Sequence, residues 1–284
     1  MINFLAITWH PDPVIFSIGP VQLRYYSILF ISGFIIGYYI FTWFFKREKM
    51  PLQILDVLLY TLLISALVGA RLGHCFFYEP AYYLAHPWEI LMTWHGGLAS
   101  HGGAIAIVLA LIFFVRKYGK KFNFDFLWLM DRIGIATALA GALIRLGNLM
   151  NSEIYGNPTD LPWGFIFTLR GETLAKHPTQ LYEAFSYLAL FFILLWMYKK
   201  YLPKLKRGVL FSIFLMVLFA TRFLIEFVKE PQVAFEQGMS LNMGQWLSIP
   251  FILAGAALLW YSIKRGKPAI AEVPEKAPQT KAKK

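Results

Sequence analysis

Seven long apolar runs constrain this chain more than any other feature. They fall at roughly residues 26–45, 54–76, 101–115, 125–147, 181–198, 208–228 and 243–263, the third being the shortest. A bilayer span needs about 20 mostly apolar residues, so the pattern predicts about seven transmembrane helices. Composition agrees: 58% of residues are hydrophobic, only 15% are charged, and the mean hydropathy is +0.54. A soluble domain carries about 45–50% apolar and about 25% charged residues. The expected fold class is therefore all-α, a polytopic integral membrane helical bundle. Residues 1–265 read as a single transmembrane domain, and the Lys-, Pro- and Ala-rich residues 266–284 as a disordered basic cytoplasmic tail. No cleavable signal peptide is expected, because the start lacks basic residues and "HPDP" interrupts it early.

The formal charge of +11 raises the question of nucleic acid, and its distribution answers it. The loops "KREK", "RKYGKK" and "KKYLPKLKRG" with the tail hold 19 Lys and Arg, whereas the opposite loops hold only Arg170, Lys176 and Lys229. That asymmetry predicts the N-terminus outside and the C-terminus in the cytoplasm. The basic excess is then a topology signal, helped by anionic lipid heads, and no nucleic-acid partner is expected. The single Cys75 excludes an internal disulfide and any multi-cysteine metal site, and reads as small apolar packing.

Five arginines lie inside or at the ends of the runs: Arg24, Arg71, Arg132, Arg145 and Arg222. Charge in a membrane costs about 2.5–3.5 kcal/mol at a helix centre, so such residues are functional by default. Arg24 and Arg132 are placed to snorkel. Arg71, Arg145 and Arg222 fall near the outer ends of three helices, at headgroup depth, where Arg suits a phospholipid phosphate.

The stretch "GALIRLGNLMNSEIYG" (141–156) begins small and apolar, then places Arg145, Asn148, Asn151 and Glu153 within nine residues. On a continuing helix Arg145, Asn148 and Ser152 share a face, with Glu153 about 80–100° round. Gly147 permits close helix approach, and Gly156 before "NP" is a natural stop. In "WHGGLASHGG" (94–103), His95 and His101 do not share a helical face, and no Cys, Asp or Glu supports zinc. His101 is the candidate general base, and Gly102 and Gly103 allow close backbone approach to an anion. His95 reads as interfacial. Arg222 and Glu226 form an i, i+4 pair. "HPTQLYEA" (177–184) opens the fifth span with Pro178 in a first-turn position and Glu183 near the positive end of the helix dipole. His177, Gln180 and Tyr182 read there as interfacial anchors.

These residues resemble the bacterial prolipoprotein diacylglyceryl transferases. Residues 141–156 look like the family pattern G-x-x-x-R-x-G-N-x-x-N-x-E-x-x-G, and "DPVIFSIGPVQLRYYS", "GARLG", "GGLASHGG", "HPTQLYE" and "RFLIEF" are similar too. The resemblance covers about residues 10–265, with seven spans and the same topology. It implies that His101, Arg145, Arg222 and the family's tyrosine, here Tyr26, are catalytic, and that Arg145 binds the phospholipid together with Arg71 and with Asn148, Glu153 and Gly156, the family's asparagine, glutamate and glycine. Some members carry a tyrosine where this chain has Leu218, so that hydroxyl's role is not transferred.

The implied reaction moves the diacylglyceryl group of phosphatidylglycerol to the lipobox cysteine of a preprolipoprotein signal peptide. It forms a thioether, releases glycerol 1-phosphate and needs neither metal nor cofactor. The implied location is the bacterial cytoplasmic (inner) membrane, multi-pass, with the active site near the outer (periplasmic) face. An anion transporter is the rival reading, but transporters show paired halves and no repeat is present. An intramembrane protease would need a GxSG or GxGD motif, and neither occurs.

Overall fold

The computed structural model describes residues 6–19, 21–93, 96–231, 236 and 238–270. His95 and the tail from residue 271 lie outside the described residues. Eight α-helices follow in order: α1 (Tyr25–Arg47), α2 (Gln53–Phe77), α3 (Pro80–Ala85), α4 (Ser100–Phe122), α5 (Phe126–Met150), α6 (Thr179–Tyr201), α7 (Val209–Ile225) and α8 (Met243–Arg265). Among the described residues, seven helices are long and apolar enough to cross a membrane, α3 being too short. The third apolar run becomes a full-length helix because α4 continues through "RKYGKK". Its last turn carries Lys120 and Lys121 and ends at left-handed Asn123, whose N–H bonds to the Gly119 carbonyl.

The chain is mostly helical, and among the described residues it also carries four short strands: β1 (Ile7–Trp9), β2 (Val14–Ile18), β3 (Val21–Arg24) and β4 (Phe165–Phe167). β2 and β3 pair antiparallel, and β1 lies parallel to β4 with Ile7 opposite Phe165. Such short runs carry little periodic signal, and the β1–β4 pair joins segments far apart in sequence, so only tertiary packing selects it.

The described residues fall into two compact units, one drawn from residues 6–40 and 130–269 and the other from residues 41–129 and 270. In the first, α7 packs against α6 and α8. Phe165 and Phe167 of β4 bury against Leu149 of α5, with Trp9, Tyr155 and Leu181 around them. Trp9 Nε1 donates to the Leu149 carbonyl at 3.0 Å, one of the acceptors a helix end leaves open.

At the other end of α5, Asp131 accepts the N–H groups of Gly208 and Phe211, both at 2.8 Å, and so caps α7. Arg132 does not snorkel: it is fully buried, lies 5.7 Å from the Tyr198 ring centre, and donates to the Ala269 carbonyl at 3.0 Å. The acceptor comes from the residues after α8, which sequence reasoning had no cause to bring there. Residues 266–269 run beside the 205–207 turn, with Arg207 N–H on the Lys267 carbonyl (2.8 Å) and Ala269 N–H on the Leu205 carbonyl (2.9 Å).

In the second unit α2 and α4 meet through glycine. A Cβ at Gly73 would lie 2.7 Å from the Gly102 Cα, and one at Gly69 would lie 2.6 Å from the Gly102 carbonyl oxygen. Small residues that let backbones touch are the usual device for packing helices in lipid, where there is no hydrophobic drive between them.

Candidate functional site

Helix α5 ends at Met150, earlier than Gly156. Ser152 (φ 51°) and Ile154 (φ 63°) adopt left-handed backbone, so Ser152 and Glu153 leave the helical track and the shared face expected for Ser152 does not form. Each such residue costs roughly 1–3 kcal/mol, strain that persists where surrounding contacts over-determine it. Those contacts are explicit. Glu153 N–H bonds to the Asn148 carbonyl at 3.0 Å, Gln180 Nε2 donates to the Glu153 carbonyl at 2.8 Å, and Thr179 Oγ1 to the Ile154 carbonyl at 2.8 Å. Gln180 thus clamps the turn from the start of α6.

The turn delivers Glu153 back onto the helix it has just left. Arg145 Nη1 donates to Asn148 Oδ1 at 3.2 Å, and Asn148 Nδ2 donates to Glu153 Oε1 at 2.7 Å. Tyr26 packs against the same stretch from α1, where a Cβ on Gly147 would lie 2.8 Å from the Tyr26 ring. Gly156 is required for a different reason: its N–H bonds to the His177 carbonyl at 2.8 Å, and a Cβ there would strike the Val228 carbonyl.

Arg145 and Arg222 belong to one run of alternating charges. Arg145 Nε lies 2.8 Å from Glu183 Oε2, and Glu183 Oε1 lies 3.5 Å from Lys229 Nζ. Lys229 in turn meets Glu226 Oε1 at 3.0 Å, and that oxygen lies 3.7 Å from Arg222 Nε. The Arg145–Glu183 contact is ionic in geometry, since Glu183 Oε2 takes no well-aligned hydrogen bond. Glu183 has no exposed side-chain surface, and Lys229 has 4%, so either alone would pay the cost of an isolated buried charge. The arginines at the two ends are less enclosed, with side-chain exposures of 15% and 34%. Asn242, the N-cap of α8, closes the far end by donating Nδ2 to Glu226 Oε2 at 3.0 Å.

Sequence reasoning paired Arg222 with Glu226 correctly but missed the middle of this run. Glu183 was credited only with the dipole of α6, and Lys229 only with the loop count. The available signal was Glu183 itself, a carboxylate one turn into an apolar helix, which requires a cation.

Beside this run lies a second cluster outside the spans. Lys176 Nζ meets Glu172 Oε1 at 2.8 Å and Glu230 Oε1 at 3.0 Å, and Tyr155 donates to Glu172 Oε1 at 2.7 Å. Burial and the Glu172 hydrogen bond push the Tyr155 phenol up to about 12. Burial opposes charge on Lys176, but its two carboxylate partners outweigh that and raise it. His177 Nδ1 lies 3.2 Å from the Tyr182 hydroxyl, which also accepts from Trp163 Nε1 at 2.9 Å, and burial lowers the imidazole.

In the second unit His101 opens α4 with its side chain exposed. Gly102 beside it and Gly103 serve the α2–α4 contact: a Cβ on Gly103 would lie 3.2 Å from the Ala66 carbonyl. Arg71 is 3% exposed and spends its donors on backbone. Its Nε bonds to the Ile90 carbonyl (2.9 Å), its Nη1 to those of Gly96 (2.6 Å) and Gly97 (3.3 Å), and its Nη2 to that of Glu89. The guanidinium lies 5.0 Å from the Tyr83 ring centre.

Residues 13–261 match the family model described as prolipoprotein diacylglyceryl transferase. Among curated relatives, the phosphatidylglycerol–prolipoprotein diacylglyceryl transferase of Tolumonas auensis is 49% identical over 256 residues, covering 90% of this chain and 97% of its own. The protein of that name from Chloroherpeton thalassium is 44% identical, covering 92% and 96%, and that from Bacteroides fragilis is 40% identical, covering 92% and 97%.

Proposed function

Because the chain belongs to the prolipoprotein diacylglyceryl transferase family, and is thus a multi-pass membrane enzyme of lipoprotein maturation with phosphatidylglycerol–prolipoprotein diacylglyceryl transferase activity, we propose that Arg145 and Arg222 grip the lipid phosphate. The observation that carries this reading is the buried run Arg145–Glu183–Lys229–Glu226–Arg222. Alternating charges hold two guanidiniums at defined places without consuming them, since both remain the most exposed members of the run. Asn148 and Glu153 orient Arg145, Tyr26 walls it against Gly147, and Glu226 orients Arg222.

The reaction is a displacement at carbon. The lipobox cysteine loses its proton, its sulfur forms a bond to the glyceryl carbon, and the carbon–oxygen bond to phosphate breaks. The electron pair goes to the phosphate oxygen, and glycerol 1-phosphate departs. A thiol is a nucleophile only as thiolate, and its ordinary pKa is about 8.5, so a base is needed, and His101 is assigned that role. Phosphate charge rises from about −1 towards −2 as the bond breaks. Guanidiniums aimed at that oxygen therefore bind the transition state more tightly than the lipid. Arg71, with its donors spent on the carbonyls of Glu89, Ile90, Gly96 and Gly97, is assigned to holding that backbone rather than to the lipid. The charge asymmetry of the loops supports an N-out orientation with this chemistry near the outer face of a bacterial cytoplasmic membrane.

The test is incubation with phosphatidylglycerol and a lipobox peptide, read as a diacylglyceryl mass increase on cysteine. Arg145→Ala abolishes the increase while the protein still inserts, and retained transfer would overturn the assignment. His101→Gln lowers the rate of transfer. A near-normal rate in that variant would end the general-base role.

A further inference from the structure

Next to the Arg145 network, and outside the membrane spans apart from its edge, lies an open cleft of about 260 Å³. It is lined by Pro13, Arg24, Asn151, Glu153, Leu169 and Arg170. We infer that this cleft binds the glycerol phosphate group that the reaction releases. The inference deepens the reading of Arg145 as the phosphate ligand and rests on it.

Both guanidiniums in the cleft are fixed by neutral acceptors and keep their charge. Arg24 Nη2 donates to Gln22 Oε1 at 2.9 Å. Arg170 Nε donates to the Ser152 carbonyl at 3.1 Å, and its Nη2 to the Asn151 carbonyl at 3.2 Å. Two cations against one carboxylate leave the cleft a positive excess, which suits a phosphate.

The carboxylate decides what else the ligand must carry. Glu153 Oε1 already accepts from Asn148 at 2.7 Å and from Asn151 at 3.3 Å. Among the described residues Glu153 Oε2 accepts no hydrogen bond, and Arg170 Nη2 lies 3.9 Å from it, beyond hydrogen-bond reach. It retains acceptor capacity and repels a bare phosphate placed beside it. A ligand satisfying the whole cleft therefore brings hydroxyl donors at one end and a phosphate at the other. Glycerol phosphate is the smallest group with both. With only Pro13 and Leu169 as apolar lining, the cleft has no bed for acyl chains.

Position explains why it would be useful. Glu153 is shared: one oxygen holds Asn148, and through it Arg145, and the same residue lines the cleft. A product leaving Arg145 therefore has a second pair of guanidiniums beside the Glu153 network to receive it.

The experiment measures binding of sn-glycerol 1-phosphate to the purified, detergent-solubilised enzyme by calorimetry, with inorganic phosphate and glycerol as separate probes. It also measures inhibition by each, and the KM for phosphatidylglycerol. In the wild type, glycerol 1-phosphate binds more tightly than phosphate or glycerol. Arg24→Gln and Arg170→Gln each weaken it about three- to tenfold, the range for losing one exposed charge-assisted contact. Among the described residues the Arg24 side chain bonds only to Gln22, so its variant covers the case in which Arg170→Gln disturbs the 151–153 turn. A KM rising in parallel assigns the cleft to the lipid-borne headgroup as well, and an unchanged KM assigns it to the free product. Unchanged glycerol 1-phosphate affinity in both variants overturns the site, and equal affinity for inorganic phosphate overturns the glycerol end. Binding is read without turnover. Retained transfer in Arg145→Ala therefore sinks the earlier reading separately from this one.

Discussion

Arg145 Nε lies 2.8 Å from Oε2 of Glu183, a carboxylate with no exposed side-chain surface on the first turns of α6. The arginine read as the lipid ligand is thus anchored by a residue 38 positions later in the chain. Removing the anchor changes both fold and chemistry. Glu183→Ala costs about 3–5 kcal/mol through the uncompensated cations it leaves, and lowers transfer at least a hundredfold because Arg145 loses its placement. Glu183→Gln keeps the shape without the charge and falls between wild type and alanine. Thermal unfolding in detergent, measured beside peptide modification, checks both effects. A Glu183→Ala protein with normal turnover would detach Glu183 from the site.

Lys229 sits between two carboxylates, Glu183 at 3.5 Å and Glu226 at 3.0 Å. Lys229→Met therefore destabilises more than its lost contacts imply, because it leaves both acids short of a cation. Combining it with Glu226→Gln restores part of the loss. A double-mutant cycle on unfolding free energy should give a coupling of about 0.5–3 kcal/mol, and strict additivity would mean that the run does not act as a unit.

Gly102 and Gly73 touch backbone to backbone. Gly102→Ala must push α2 and α4 apart, for a cost of about 1–3 kcal/mol as overpacking, and Gly102→Leu more. Gly37, where an added Cβ meets nothing within 4 Å, is the control: Gly37→Ala leaves stability unchanged or improves it. Comparable unfolding temperatures for the two alanine variants would contradict the tight contact.

His177 is held by burial below the ordinary imidazole value of 6.5. A group depressed in the folded state contributes stability that is fully present above its unfolded value and is lost as pH falls through the folded one. Unfolding temperature should therefore decline below about pH 6.5, and His177→Asn should flatten that decline. The Glu172–Lys176 pair works at the extremes: with the carboxyl lowered and the ammonium raised, its contribution disappears only in strong acid or strong base. A pH slope between 5 and 7 that persists in His177→Asn would place the titrating group elsewhere.

The readable part of this chain was the part governed by local rules. Seven apolar runs of bilayer length became seven long helices, because spanning lipid demands continuous backbone hydrogen bonding and apolar side chains from one contiguous segment. The polar stretch from Gly141 to Gly156 was legible as a candidate site for a related reason, since charge at a membrane helix end is costly. Even the Arg222–Glu226 contact is local, one helical turn apart.

What tertiary structure alone decided are pairings between distant segments. The sequence shows five arginines inside or at the ends of its apolar runs but does not say what each of them meets. Arg132 turned out to hold the residues after α8, and Arg71 the backbone carbonyls of Glu89, Ile90, Gly96 and Gly97. Arg145 was joined to Arg222 through Glu183, Lys229 and Glu226. The physical reason is that a buried charge must find its partner wherever the fold brings one. Periodicity reports which face a residue occupies on its own helix, but not which residue from another element arrives there.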